Sequence, residues 1–240
     1  MAFVPGFNSR VLVGPLAYSA YARGFSVDSS SNMLEVTTMA SAGAKAFIPG
    51  QANATVSLDL LLDASGAATD QFVHLNTWAG TPAVHTLALN GTATGSSVWL
   101  TKANLSQASV SAPFADVVSA SVTIQADGGV DYGVSVEDLT AITTTTSGTA
   151  RDGGAASTNG GVAHIHATAF SGLTSDVVTI EHSVNGSTLW AALVTFATVS
   201  GVTAERVVVA PGTAVRQFLR VVDTVTGVGS CTRQVSFARR

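Results

Sequence analysis

Ala54-Thr-Val-Ser-Leu-Asp-Leu-Leu-Leu-Asp63 is the stretch from which the rest of the chain is read. Its even positions, Val56, Leu58, Leu60 and Leu62, are apolar, and its odd positions run Thr55, Ser57, Asp59, Leu61, Asp63. A period of two places one face on a core and the other on water, the mark of a half-buried β-strand. The stretch 116–127 repeats the pattern, with Val118, Ala120, Val122, Ile124 and Ala126 alternating with Ser119, Ser121, Thr123 and Gln125. A third two-faced strand is predicted over 17–30, with Tyr21, Arg23, Phe25 and Val27 against Gly24, Ser26, Asp28 and Ser30.

Composition bounds what such strands can build. At 240 residues the chain has room for two β-domains with adequate cores. Charged residues make up 11%, well under the roughly 25% of ordinary globular domains. Ser, Thr, Ala and Gly take their place, giving a polar, weakly charged surface suited to meeting other protein. Up to residue 150 four bases stand against ten acids, a net of −6, and from Arg151 onward seven arginines stand against five acids, a net of +2. The acidic first part argues against nucleic-acid binding there, because phosphate contacts need clustered Lys or Arg. No apolar run reaches about 18 residues, and the start lacks the basic and apolar regions of a signal peptide, so a cytosolic protein released by lysis is expected. The lone Cys231 excludes an internal disulfide and a cysteine-based metal site, and reads as a buried or inert thiol.

Along the chain, 10–13 reads as a short strand after an N-terminal arm, and 40–50 as an excursion following a strand at 35–39. One amphipathic helix is predicted over about 68–79, where Phe72, Val73, Leu75 and Trp78 fall at spacings of three and four and Gly80 stops it. Strands resume at 83–89 and 97–103 around an Asn90-Gly91 turn, followed by strands at 104–110 and 130–136. Residues 140–161 are rich in Thr, Gly and Ser and read as a linker. Beyond it, short strands at 162–170, 176–184, 189–196, 205–210, 215–223 and 232–238 predict a small antiparallel sandwich. The expected fold is therefore mainly β: a first domain over 1–139, the linker, and an outer β-sandwich over 162–240.

Catalytic chemistry is not legible. Carboxylates are scattered singly apart from Glu137-Asp138, no serine sits in a nucleophile elbow, and no phosphate-binding glycine loop precedes a helix. His164 and His166 share a strand face, as two metal ligands would, but no third ligand is evident, so surface or inter-subunit packing is the expected role. His74 and His85 read as hydrogen-bonded or exposed histidines. Trp190, with Glu181, His182 and Asn185, could make a stacking platform for a sugar, against the plainer reading of core packing. Arg216, Phe218 and Arg220 share a face and read as a solvated or interfacial surface. Neither a cofactor nor a metal is expected, and no enzyme.

The run from Tyr18 through Asp63 contains Leu34-Glu-Val-Thr-Thr-Met39, Lys45-Ala-Phe-Ile-Pro-Gly50 and Ala54-Thr-Val-Ser-Leu-Asp-Leu60. With one helix and then Asp116-Val-Val-Ser-Ala-Ser-Val-Thr-Ile-Gln-Ala-Asp127 before a Gly-Gly turn, it resembles the major tail tube proteins of long-tailed, non-contractile (siphovirus-type) bacteriophages over about residues 10–137. The later phrases Ser183-Val-Asn-Gly-Ser-Thr-Leu-Trp190 and Val215-Arg-Gln-Phe-Leu-Arg-Val221 are similar to carbohydrate-binding-like modules, and the region resembles the extra outer domains of some tail tubes.

That resemblance implies a tail-tube β-barrel/sandwich domain, homohexameric rings stacked into a tube, and genome DNA leaving through the bore without specific binding. On this chain it implies lumen-facing residues Ser26, Asp28, Thr55, Ser57, Asp59, Ser119, Ser121, Thr123 and Gln125. It also implies an inter-ring stacking loop over 31–51 with Glu35, Lys45, Phe47 and Ile48. The implied partners are further copies, then tail terminator, distal tail and tape measure proteins. The location is the virion tail, assembled in the host cytoplasm, with no membrane contact. The rival readings are a carbohydrate-binding β-sandwich centred on Trp190 and a capsid decoration or head-tail connector protein.

Overall fold

Alternation of apolar and small polar residues, with turns set by glycine, resolves into thirteen strands in the computed structural model, which describes residues 6–39, 43–62 and 80–240. They are β1 (Arg10–Val13), β2 (Leu16–Ala17), β3 (Ala22–Glu35), β4 (Phe47–Leu61), β5 (Ala83–Ala88), β6 (Ser97–Ser111), β7 (Ser119–Ala126), β8 (Asp131–Ile142), β9 (Arg151–Asp152), β10 (Gly161–Ser183), β11 (Ala191–Thr195), β12 (Thr203–Val209) and β13 (Phe218–Arg239). Gly6–Asn8 and Tyr18–Ala20 form single 3-10 turns. The protein is mainly β, with antiparallel pairing. The helix expected at 68–79, with His74, lies outside the described residues, as do 40–42.

The chain forms two compact units. One comprises Met1–Tyr21, Ala83–Leu100 and Asp131–Arg240; the other comprises Ala22–Pro82 and Thr101–Val130. We call them the outer and the sheet unit. The sequence places a boundary at 140–161, whereas here everything from Asp131 onward belongs to one unit. The reason is backbone pairing: Thr140-Ala-Ile142 continue β8 along β13, Gly148 N donates to Val221 O at 2.7 Å, and Ser157 exchanges backbone bonds with Val215. A stretch poor in large apolar groups is thus held by its main chain.

The sheet unit is an antiparallel ribbon in the order β3, β4, β7, β6. Its apolar face buries Val56, Leu58, Leu60, Val122 and Ile124 completely, with Ala54 and Ala120 beside them. β4 starts earlier than the sequence suggests, at Phe47, and β3 runs on to Glu35 where the predicted strand stops at Ser30. Pairing runs from Ala22↔Leu60 to Glu35↔Phe47, so both flanks of the expected 31–51 loop, 31–35 and 47–51, are strand and 36–46 lies beyond the pairs. Met33, Leu34, Phe47 and Ile48 break the apolar/polar alternation there, which hides a strand whose two faces are both exposed.

In the outer unit β10 and β13 pair along their whole length. Each was expected as two strands, 162–170 and 176–184 for β10 and 215–223 and 232–238 for β13, the latter pair separated at Gly227 to Gly229. The breaks are bulges instead: the register shifts between Ala167/Ala169, Ser171/Leu173 and Leu173/Ser175 while pairing continues. Gly172 (φ 75°) and Gly227 (φ 98°) hold left-handed conformations, and a Cβ on either would sit 2.6 Å from the opposing backbone. The paired strands turn a corner here. Asp223 and Arg233 are ten residues apart on β13, about 33 Å in a straight strand, yet their side chains bond. The two halves then share one core, in which Ile165 and Ala167 join Val178, Ile180, Leu219, Val221 and Val235.

Candidate functional site

The register of the sheet unit settles which polar residues share a face, because residues directly opposite in an antiparallel pair point the same way. Asp28 lies opposite Thr55, which lies opposite Gln125 and then Asn104. The next row is Ser26, Ser57, Thr123 and Gln107, and the next Gly24, Asp59, Ser121 and Ser109. Ser119 follows on β7 by alternation. All nine residues named from the sequence as one polar set therefore occupy one face, and Asn104, Gln107 and Ser109 extend it. The strands expected at 97–103 and 104–110 are one strand, β6, and its share in this face is not legible in the sequence because a bulge between Leu105 and Gln107 interrupts its alternation.

This face is stitched by hydrogen bonds from neutral donors. Ser121 Oγ donates to Asp59 Oδ1 at 3.1 Å, Gln125 Nε2 to Ala54 O at 2.9 Å, and Ser106 Oγ to Thr123 O at 2.8 Å. The three rows contain two carboxylates and no base. Arg23, at the β3 bulge, is the base nearest their lower end and lines a depression with Asp59 and Ser121. The three rows themselves offer hydration and weak repulsion to a polyanion.

Glu35, Lys45, Phe47 and Ile48 come together at the far end of the β3–β4 hairpin. Lys45 Nζ bonds Glu35 Oε2 at 3.1 Å, with both side chains solvent-exposed. Ala46 N donates to Thr37 Oγ1, and Val36 N to Ala46 O at 2.8 Å, which holds the tip closed. Met33, Leu34, Met39, Phe47 and Ile48 are all exposed there.

The outer unit places its polar residues differently. His164 and His166 are fully buried within that unit, not at a surface. Both faces of β10 are covered at this point, which periodicity cannot reveal. They do share a face, as their spacing implies, and meet on Thr86. Gly14 O can only accept, so His166 Nδ1 donates to it at 2.7 Å. His166 Nε2 then accepts from Thr86 Oγ1 at 2.8 Å, Thr86 Oγ1 accepts from His164 Nδ1 at 3.2 Å, and His164 Nε2 accepts from Arg206 Nη1 at 3.3 Å. Every proton in this chain is placed with both rings neutral. Burial pushes His166 down to about 4 and His164 well below its ordinary value, with the neighbouring His166 and Arg206 adding to the latter. Among the described residues no group of three or more His, Cys, Asp or Glu is placed to hold a metal ion.

A second buried network was not legible at all. Arg233, fully buried, bonds Asp176 Oδ2 through Nε at 3.1 Å, Glu137 through Nη1 and Asp223 through Nη2. Asp176 and Asp223 are fully buried as well. Burial raises the pKa of Glu137 and of Asp223 against the pull of Arg233. Burial opposes the Arg233 charge, but three carboxylates raise its pKa nonetheless. Cys231, also buried, is pushed up to about 11 by burial and the Asp176 charge, so it stays a thiol.

Trp190 is half-buried, and the Arg220 guanidinium lies 4.2 Å from its ring centroid while gripping Glu181 at 2.7 and 2.8 Å. One ring face is therefore occupied from within the chain. Arg216 Nη1 reaches Leu189 O at 2.9 Å.

No protein-family model and no curated protein matches this chain. Among solved structures it is similar to a chain from the virion of a native gene transfer agent (GTA) particle, at 12% identity and TM-score 0.44 over 54% of this chain and 98% of that one. A chain from the tail of an empty GTA particle, refined helically with C6 symmetry, gives 11% identity and TM-score 0.39 over 47% and 81%. The SPP1 Dit (gp 19.1) protein, a paradigm of the hub adsorption apparatus in phages infecting Gram-positive bacteria, gives 10% identity and TM-score 0.38 over 96% and 98%.

Proposed function

We propose that this chain is a structural subunit of a bacteriophage tail tube, in which copies form six-membered rings that stack around a channel for genome DNA. The observation that carries the reading is the four-stranded ribbon of the sheet unit. One face is sealed by Val56, Leu58, Leu60, Val122 and Ile124, and the other carries Ser, Thr, Gln, Asn and two Asp in register. β3 pairs with β4 alone among the described residues, so a long outer edge is open. An open edge of this length is an aggregation hazard unless another strand covers it. In a ring, the β3 edge of one copy takes up the exposed end of β6 in the next. Repetition makes one barrel with the polar face inside. The bore then repels phosphate mildly through Asp28 and Asp59 and lets DNA pass. The resemblance of residues 10–137 to major tail tube proteins implies the same assembly, with six subunits to a ring.

Negative-stain electron microscopy of the purified protein tests this. Hollow tubes or six-fold rings are expected; a field of monomers contradicts the reading.

A further inference from the structure

Every exposed large apolar side chain of the sheet unit, among the described residues, lies at one of the ribbon's two ends. One end is the β3–β4 tip with Met33, Leu34, Met39, Phe47 and Ile48. The other is the β6–β7 connection, where Phe114 and Val117 are exposed and Val118 is partly so. Register fixes these ends as opposite: Glu35 pairs with Phe47 at one, and Leu61 with Ser119 and Ser119 with Ser111 at the other. The fifteen residues of β4 separate them by about 45–50 Å.

We infer that the β6–β7 connection, centred on Phe114, receives the β3–β4 tip of a second copy of this chain in the adjacent ring. The inference rests on the tail-tube reading and adds the receiving surface to it. Apolar ends on opposite sides of one subunit bury each other only in a head-to-tail contact, which repeats without limit along an axis. A tip docking on its own copy would stop at a pair and leave the other end exposed. Charge agrees with the head-to-tail arrangement. Lys45, 70% exposed and paired with Glu35 at 3.1 Å, stands at the tip, while the receiving end offers Asp116, whose Oδ1 is held by Val117 N at 2.7 Å.

Two variants test the contact. Phe114→Glu, on a side chain open to solvent, is expected to keep the secondary structure and the rings and to lose the tubes. In the double variant Phe47→Cys/Phe114→Cys the two thiols cannot meet within one chain, because a disulfide needs Cα atoms within about 7 Å, and Cys231 is buried. Mild oxidation should therefore give a ladder of linked oligomers from the double variant and none from either single variant. Tubes of Phe114→Glu indistinguishable from wild type, or a double variant that stops at dimers while Phe114→Cys alone dimerises, would overturn the inference and leave the ring intact. Wild-type protein forming neither rings nor tubes would overturn both readings.

Discussion

The outer unit buries its charges and the sheet unit displays them. By sequence the outer unit holds eight bases and eight acids, and the sheet unit three bases and seven acids, which accounts for the chain's whole net charge of −4. In the outer unit Arg233, Asp176 and Asp223 are sealed from solvent. In the sheet unit each described charged residue is exposed, except half-buried Lys102. The difference has an energetic meaning. A buried pair is costly to break from one side, because the partner is left charged and dry. An exposed pair such as Lys45–Glu35 contributes about 0–1 kcal/mol. Loss of a single buried charge is therefore costly in the outer unit, beside its own apolar core, whereas in the sheet unit charge is left free to set what the surface repels.

The largest effect should come from Arg233. Arg233→Met strands three carboxylates, and loss of about 3–5 kcal/mol is expected. Hydrogen exchange read by mass spectrometry should show faster exchange in β8, β10 and β13 with β4 and β7 unchanged. Equal acceleration in both units would erase the distinction. The sheet unit should answer instead to Leu58→Ala, which empties a fully buried site and should cost about 2–5 kcal/mol in urea unfolding, with the exchange pattern reversed.

How far this contrast could be read from the sequence depends on what alternation encodes. β4 and β7 alternate apolar and polar residues because one face is dry and one wet, and their shared polar face followed from that alone. β10 shows no such signal over 161–167, because both of its faces are buried there. His164 and His166 accordingly read as surface or inter-subunit residues and are buried inside their own unit. Gly227 to Gly229 looked like a break between strands, because a glycine that permits a bulge and one that permits a turn are the same letter. Arg233 carries no local mark of burial; its partners lie 10, 57 and 96 residues away in the chain, and only the corner in β13 brings Asp223 to it.

Acid should also separate the units. His166 titrates near 4 in the folded protein and near 6.5 when unfolded, so the unfolded chain binds more protons between these values. The stability His166 confers is complete above pH 6.5 and is lost as pH falls toward 4, up to about 3 kcal/mol. Glu137 and Asp223, with raised values, act in the opposite direction: their contribution is present in acid and fades as pH rises through their folded values. Urea midpoints measured from pH 7 to 4 should therefore fall in the wild type and fall less in His166→Gln. Parallel curves would show that the imidazole is not the cause.

The smallest effect on folding and a clear one on function is expected from Asp59→Lys. An exposed change should shift stability by no more than about 0.5 kcal/mol and leave tubes intact, while placing a phosphate-binding cation on the polar face. Genome ejection from particles carrying it should slow; an unchanged rate would count against the lumen assignment.

The most direct measurement is electron cryomicroscopy of the assembled protein at side-chain resolution, asking which face of β4 meets the bore. The account predicts Thr55, Ser57 and Asp59 on the channel wall with Val56, Leu58 and Leu60 turned into the subunit. An assembly without a bore, or one in which that polar face lies on the outside, would contradict it.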